Sequence, residues 1–182
     1  QDERAGEVLK FQARIGDPRQ YEDIVRLAGA IGLPSTQYWL GHYGPGRMMT
    51  HMAARYPMPD WKPQGGWRVD PSLVYAHALQ ESNFRTDAVS GAGAHGLLQV
   101  RPGTAHEFAA KRGEVVDSES LKQPSVNLEY GQSYIEKLRD LPLTGGLLPK
   151  VIAAYNAGPS PVARWNMEVR DNGDPLLYIE SV

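Results

Sequence analysis

Glu81 shares a helical face with Val74 and Ala78, at the i, i+4, i+7 spacing that stacks side chains on one side of a helix. A carboxyl group on an apolar face is poorly hydrated as an anion, so it holds its proton to higher pH. Glu81 also falls in the last turn of the expected helix, where the partial negative charge of the helix end acts in the same direction. A carboxyl group kept protonated towards neutral pH can hand its proton to a leaving group, which is general-acid chemistry. A buried acid paired with a base elsewhere in the fold would leave the same pattern. Downstream, Gly91, Gly93 and Gly96 fall within seven residues, followed by Leu97-Leu98-Gln99-Val100. No Gly-Lys-Ser/Thr follows, and the glycine spacing does not fit a dinucleotide fold, so this is not a phosphate-binding loop. It reads as a fold-back that returns one amide, Gln99, towards the acid.

The elements that must position these groups are short. Asp70-Pro71 is a strong helix start, with Asp able to cap free N–H groups and Pro suited to the first helical position. That helix should run to about Ser82. Leu97 to Val100 is expected to be extended, within a small irregular β element around residues 90–100. Further helices are expected over Pro102 to Lys111, Leu121 to Leu141, Leu147 to Asn156 and Pro161 to Val169, with Val126, Leu128, Tyr134, Ile135 and Leu138 as core candidates. Before residue 60 the chain reads as helices over Glu3–Ile15, Pro18–Ile31, Pro34–Tyr43 and Met48–Arg55. Tyr56 to Gly66, with three prolines and two glycines, reads as a connector and domain boundary. The fold class is mainly α.

Bulk composition narrows the function. The 182 residues are 41% hydrophobic and 22% charged, which suits a globular core rather than disorder. The 19 glycines and 14 prolines point to many turns and short helices. Net charge is −2 with no Lys/Arg block, so no nucleic-acid partner is expected. With no cysteine there is no disulfide, thiolate metal site or cysteine nucleophile. The five histidines lack ligand spacing, so neither a metal nor another cofactor is expected. No run is long and apolar enough for a membrane span. Gln1 and Val182 both read as cuts, the second within a truncated C-terminal region.

Three blocks of residues resemble the soluble lytic murein transglycosylases. The first is Glu81-Ser82-Asn83-Phe84 with Ser90 and Gly93-Ala94-His95-Gly96-Leu97-Leu98-Gln99-Val100-Arg101-Pro102-Gly103-Thr104-Ala105. The second is Ala154-Tyr155-Asn156-Ala157-Gly158-Pro159 with Val162 and Trp165. The third is Tyr178-Ile179-Glu180-Ser181-Val182. The resemblance covers residues 66–182 and implies a lysozyme-like catalytic domain. Residues 1–65 resemble the end of an α-solenoid. It implies cleavage of the β-1,4 bond between N-acetylmuramic acid and N-acetylglucosamine in peptidoglycan, leaving a 1,6-anhydro ring and consuming no water. Glu81 is implied as acid then base. Ser90 and Tyr155 are implied as hydroxyls that orient it. Gln99, Glu180, Leu98 and Asn156 are implied on the substrate side. Leu98 stands where the family often has Met. Arg101 stands where an apolar residue is common, and either faces the cleft towards a substrate carboxylate or lies solvated at the surface. The implied location is the periplasm, and the implied partners are glycan strands and other cell-wall proteins.

Two rival readings remain at this level. A goose-type lysozyme-like hydrolase would use the same acid and deliver water, with Asp87 as the nearest downstream carboxylate. A silent glycan-binding module would ordinarily lack the acid, which is present here.

Overall fold

Proline opens most of the helices. Its fixed φ suits the first turn, and its missing N–H is one that a helix start leaves unpaired anyway. The computed structural model describes residues 2–182. Among these lie ten α-helices: α1 (Asp2–Ile15), α2 (Tyr21–Ala30), α3 (Pro34–His42), α4 (Met52–Arg55), α5 (Pro71–Ser82), α6 (Pro102–Arg112), α7 (Pro124–Arg139), α8 (Leu148–Ala157), α9 (Pro159–Glu168) and α10 (Pro175–Glu180). Proline occupies the first turn of α3 and of every helix from α5 to α10. The high proline content therefore divides the chain into short helices instead of unfolding it.

Two apolar clusters form. Tyr21, Val25, Ala28, Leu33, Leu40 and Ala54 join α2, α3 and α4, with α1 packed on through Ala5, Leu9 and Ala13. The larger cluster gathers Val74, Ala78, Phe84, Leu97, Leu98, Leu121, Leu128, Ile135, Leu138, Val151 and Val162 from the later elements.

Helix α7 is the axis of the larger cluster. Its residues from Val126 to Ser133 are buried without a gap, so it has no solvent face through that stretch. A helix buried all round must satisfy its polar side chains internally. Asn127 does so with three bonds, donating to the carbonyls of His95 and Leu121 and accepting from Leu98 N–H. Glu129, 3% exposed, pairs with Arg68 at 2.8 Å and Arg112 at 2.7 Å, and accepts from Gly65 N–H at 3.0 Å. Gln132 accepts from Arg68 N–H and donates to the Gly66 carbonyl. The polar side of α7 thus straps down the connector that enters α5.

Three local expectations need correction. Leu97 to Gln99 is a turn, not an extended segment: Gly96 and Gln99 are both left-handed (φ 71° and 48°), and His95 and Val100 bond to each other across the turn. The region's pairing is limited to the isolated bridges Val89–His95 and His95–Val100. The helix expected from Leu121 to Leu141 is divided, because Pro124 starts α7 afresh after a 3-10 turn at Ser120–Lys122. Met48–Arg55 is likewise split into a 3-10 turn at Arg47–Met49 and α4, with Thr50 extended between them.

Candidate active site

Helix α5 starts and stops as its sequence dictates. Asp70 accepts from Ser72 N–H at 2.8 Å, and Pro71 takes the first helical position. At the far end Asn83 and Phe84 are both left-handed, and their N–H groups return to the carbonyls of Leu79 and Ala78. Phe84 is buried in the core as this reversal tucks it under the helix. Ser82 donates to the Ala78 and Leu97 carbonyls at 3.0 and 2.9 Å, so it secures the helix end and does not face the cleft.

The turn that follows is held by three helices. Ser82 of α5 holds the Leu97 carbonyl, Asn127 of α7 holds Leu98 N–H, and Tyr155 of α8 donates to the Leu98 carbonyl at 2.6 Å. Gly96 allows this approach. A Cβ there would lie 2.4 Å from both the Leu121 carbonyl oxygen and Asn127 Nδ2. Helix α7 comes equally close at Gly131, where a Cβ would lie 2.0 Å from Leu98 Cδ1.

Glu81 stands at the edge of a cleft of about 490 Å³, with Ser90, Gln99, Arg101, Thr104, Tyr134, Tyr155 and Asn156 on its walls. Glu81 is half-buried, and burial raises its proton affinity above the ordinary carboxylate range. No cation or hydrogen-bond donor opposes that shift. Glu129 shows the opposite outcome: burial would raise it, but Gly65 N–H, Arg68 and Arg112 outweigh that and hold it below the ordinary range. Among the described residues, Glu81 is the sole carboxylate on the cleft wall.

The residues implied around Glu81 fall into two sets. Ser90, Gln99, Tyr155 and Asn156 line the cleft with it. Ser90 Oγ accepts from Ala94 N–H at 3.0 Å, leaving its own proton free to donate. Gln99 directs its amide nitrogen to the Gly96 and Ala88 carbonyls, which leaves its oxygen as the free acceptor. Tyr155 does not bond to Glu81, since its proton goes to Leu98. Its phenol is raised above the ordinary range by burial and by the nearby Glu81 charge.

Leu98 and Glu180 do not join them. The Leu98 side chain is fully buried against α7, so only its backbone serves the site. Helix α10 docks through Tyr178, 1% exposed, with Lys150 4.7 Å above its ring. Two residues further on is about 200° around a helix. Glu180 is accordingly exposed and absent from the cleft wall.

Two contributors escaped sequence reasoning. Tyr134 packs against the core as expected, and it also forms a cleft wall, its ring 5.4 Å from that of Tyr155. His77, one turn before Glu81, is buried and meets the Tyr155 ring edge-on at 4.7 Å. Its i−4 spacing from Glu81 was the available signal. No cluster of three or more His, Cys, Asp or Glu able to hold a metal occurs among the described residues.

The family model "Transglycosylase SLT domain" matches residues 61–177. The chain belongs to the transglycosylase SLT domain family. Curated relatives include the soluble lytic murein transglycosylase of Salmonella typhimurium, 29% identical over 75% of this chain and 22% of the relative. Another is the membrane-bound lytic murein transglycosylase C of Histophilus somni, 34% identical over 71% of this chain and 39% of the relative. The SLT chain described here thus spans roughly a fifth to two-fifths of the relatives it matches. Among solved structures, the 70 kDa soluble lytic transglycosylase of Escherichia coli superposes with a TM-score of 0.80 at 23% identity, over 99% of this chain and 29% of that one. An inactive mutant of the lytic transglycosylase Slt from Pseudomonas aeruginosa gives 0.66 at 28% identity, over 87% and 26%. The fold is the mainly α, lysozyme-like one that the sequence implied.

Proposed function

We propose that this SLT domain is a peptidoglycan lytic transglycosylase. It cleaves the β-1,4 bond between N-acetylmuramic acid and N-acetylglucosamine and leaves a 1,6-anhydromuramoyl end. The observation that carries this reading is the solitary, unpaired, half-buried Glu81 on the cleft wall. A hydrolase generally needs two carboxyl groups, one to protonate the leaving oxygen and one to manage a nucleophile or a water. A reaction whose nucleophile belongs to the substrate needs one. Protonated Glu81 gives its proton to the glycosidic oxygen as the bond to muramoyl C1 breaks. The C6 hydroxyl oxygen of the same sugar then bonds to C1, and the Glu81 carboxylate takes the proton released from O6. No water enters, and Glu81 ends protonated again.

In this reading Ser90 donates to the Glu81 carboxyl group or to the sugar. Gln99 offers its amide oxygen to a sugar hydroxyl, and Asn156 extends the polar wall. Tyr155 positions the site through the Leu98 carbonyl. In the same reading residues 1–65 are a helical unit and 66–182 the catalytic unit; the separate apolar cluster of α2 to α4 supports the division, while the connector from Trp61 packs on the catalytic side. A murein substrate places the reaction in the periplasm, on glycan strands and beside other cell-wall proteins. No helix among the described residues is long and apolar enough to cross a membrane.

The test is mass analysis of muropeptides released from intact peptidoglycan by the purified chain. Anhydro ends, lighter than hydrolysed ends by one water, are expected. Hydrated reducing ends would replace this reading with that of a lysozyme-like hydrolase.

A further inference from the structure

Among the described residues, Arg101 is the one basic side chain on the wall of the Glu81 cleft. The two charges do not meet. Arg101 is absent from the ion pairs among the described residues, whereas Arg112 of α6 and Lys137 of α7 are committed, to Glu129 at 2.7 Å and to Glu107 at 2.9 Å. A guanidinium within reach of Glu81 would stabilise the carboxylate and defeat a general acid, yet no cation acts on Glu81. Arg101 is felt instead by Tyr134, whose phenol is raised by burial and drawn back by Lys137 and Arg101. An uncommitted acid and an uncommitted cation therefore face one cavity without neutralising each other.

The position of Arg101 is also fixed. It precedes Pro102, which restricts it to extended backbone (φ −76°, ψ 136°), and its carbonyl accepts from Ala105 N–H in the first turn of α6. Its side chain makes no capping bond. The guanidinium thus projects from an anchored backbone. Sugar rings carry no charge, and Ser90, Gln99, Thr104 and Asn156 already supply neutral donors and acceptors for them. A planar, permanently charged fork is suited to a carboxylate, which it can bind through two parallel bonds.

Building on the transglycosylase reading, we propose that Arg101 binds a carboxylate carried by the glycan's substituents and selects strands that bear it. Two substituents offer this chemistry: an acid of an attached peptide, or the lactyl acid exposed when the peptide is removed. The test compares wild type with Arg101→Met on intact strands, on peptide-stripped strands, and on each after the carboxyl groups are capped as amides. Arg101 is exposed, so capping should lower the wild-type kcat/KM by about threefold to fivefold, mainly through KM, as expected for a charge-assisted bond that solvent screens. Arg101→Met should start low and be indifferent to capping. An effect of capping on stripped strands assigns the lactyl acid, and one confined to intact strands assigns a peptide acid. Equal responses of both proteins to capping, or none in either, would overturn the proposal. Failure of the transglycosylase reading looks different: wild type would release no anhydro ends from any strand. Binding of the same strands to Glu81→Gln, with and without Arg101→Met, makes the comparison without turnover.

Discussion

The Tyr155 hydroxyl donates to the Leu98 carbonyl oxygen at 2.6 Å, joining α8 to a turn 57 residues earlier in the chain. The same ring meets His77, one turn ahead of Glu81 on α5. Tyr155 therefore touches both the helix that carries the acid and the turn that carries Gln99. Tyr155→Phe keeps the ring and loses the bond. Stability should fall by about 1 kcal/mol. Turnover should fall at least about tenfold through loosened geometry, with KM changing less. Thermal unfolding and anhydro-product release measure the two effects. Wild-type turnover would show that Ser82 and Asn127 suffice to hold the turn.

Glu81→Gln should abolish cleavage while glycan still binds. Its stability effect has a sign fixed by linkage. Burial raises the folded-state proton affinity above that of an ordinary glutamate, so the folded protein binds more protons than the unfolded one just above the ordinary glutamate range. Wild-type stability contributed by this group therefore declines as pH rises from the ordinary glutamate range through the raised folded value. Glutamine does not titrate. Unfolding midpoints measured across that window should show the variant gaining on wild type as pH rises, and a constant difference would remove the buried charge from the account.

Glu129 has the opposite slope. Its folded-state proton affinity lies below that of an ordinary glutamate, so its contribution is present above the ordinary glutamate range and lost as pH falls through the lowered folded value. Removing it leaves Arg68 and Arg112, each about one-third exposed, without their shared carboxylate. Glu129→Ala should cost about 3 kcal/mol, the low end for a broken buried pair because the arginines can rehydrate. The loss should shrink in acid. Denaturant unfolding at neutral and acid pH gives both numbers.

Gly96→Ala tests the close approach of α7 to the turn. It would require a left-handed alanine at φ 71° and a methyl group 2.4 Å from a backbone oxygen. A loss above about 2 kcal/mol is expected. Circular dichroism of the thermal transition reads it, and a midpoint within a degree of wild type would refute the tightness of this contact.

Local chemistry made α5 legible in advance. Asp70, Pro71 and Asn83 act within a few residues of themselves, so the start and stop of the helix that carries Glu81 could be read from neighbours. The turn at Leu97–Gln99 could not. A left-handed glutamine runs against its own preference, and the Asn127 and Tyr155 bonds that impose it come from 29 and 57 residues away. Glu129 was invisible for the same reason, since Arg68 and Gly65 approach it from across the fold. Tyr134 packs on the core as its periodicity indicated, but periodicity does not say where that face opens to a cleft. Leu98 and Glu180 came from family blocks, which align positions along a chain and leave side-chain direction to packing.

The contact between Leu98 and Gly131 has a consequence for descent. A Cβ at 131 would lie 2.0 Å from Leu98 Cδ1, so the two positions share one volume. Neither can enlarge alone. Across diverging lineages they should change as a pair, with an added methyl at 131 accompanied by a slimmer or more pliable side chain at 98. A mutation at 131, far along the chain from the acid, would then be inherited as a change in the floor beneath the cleft.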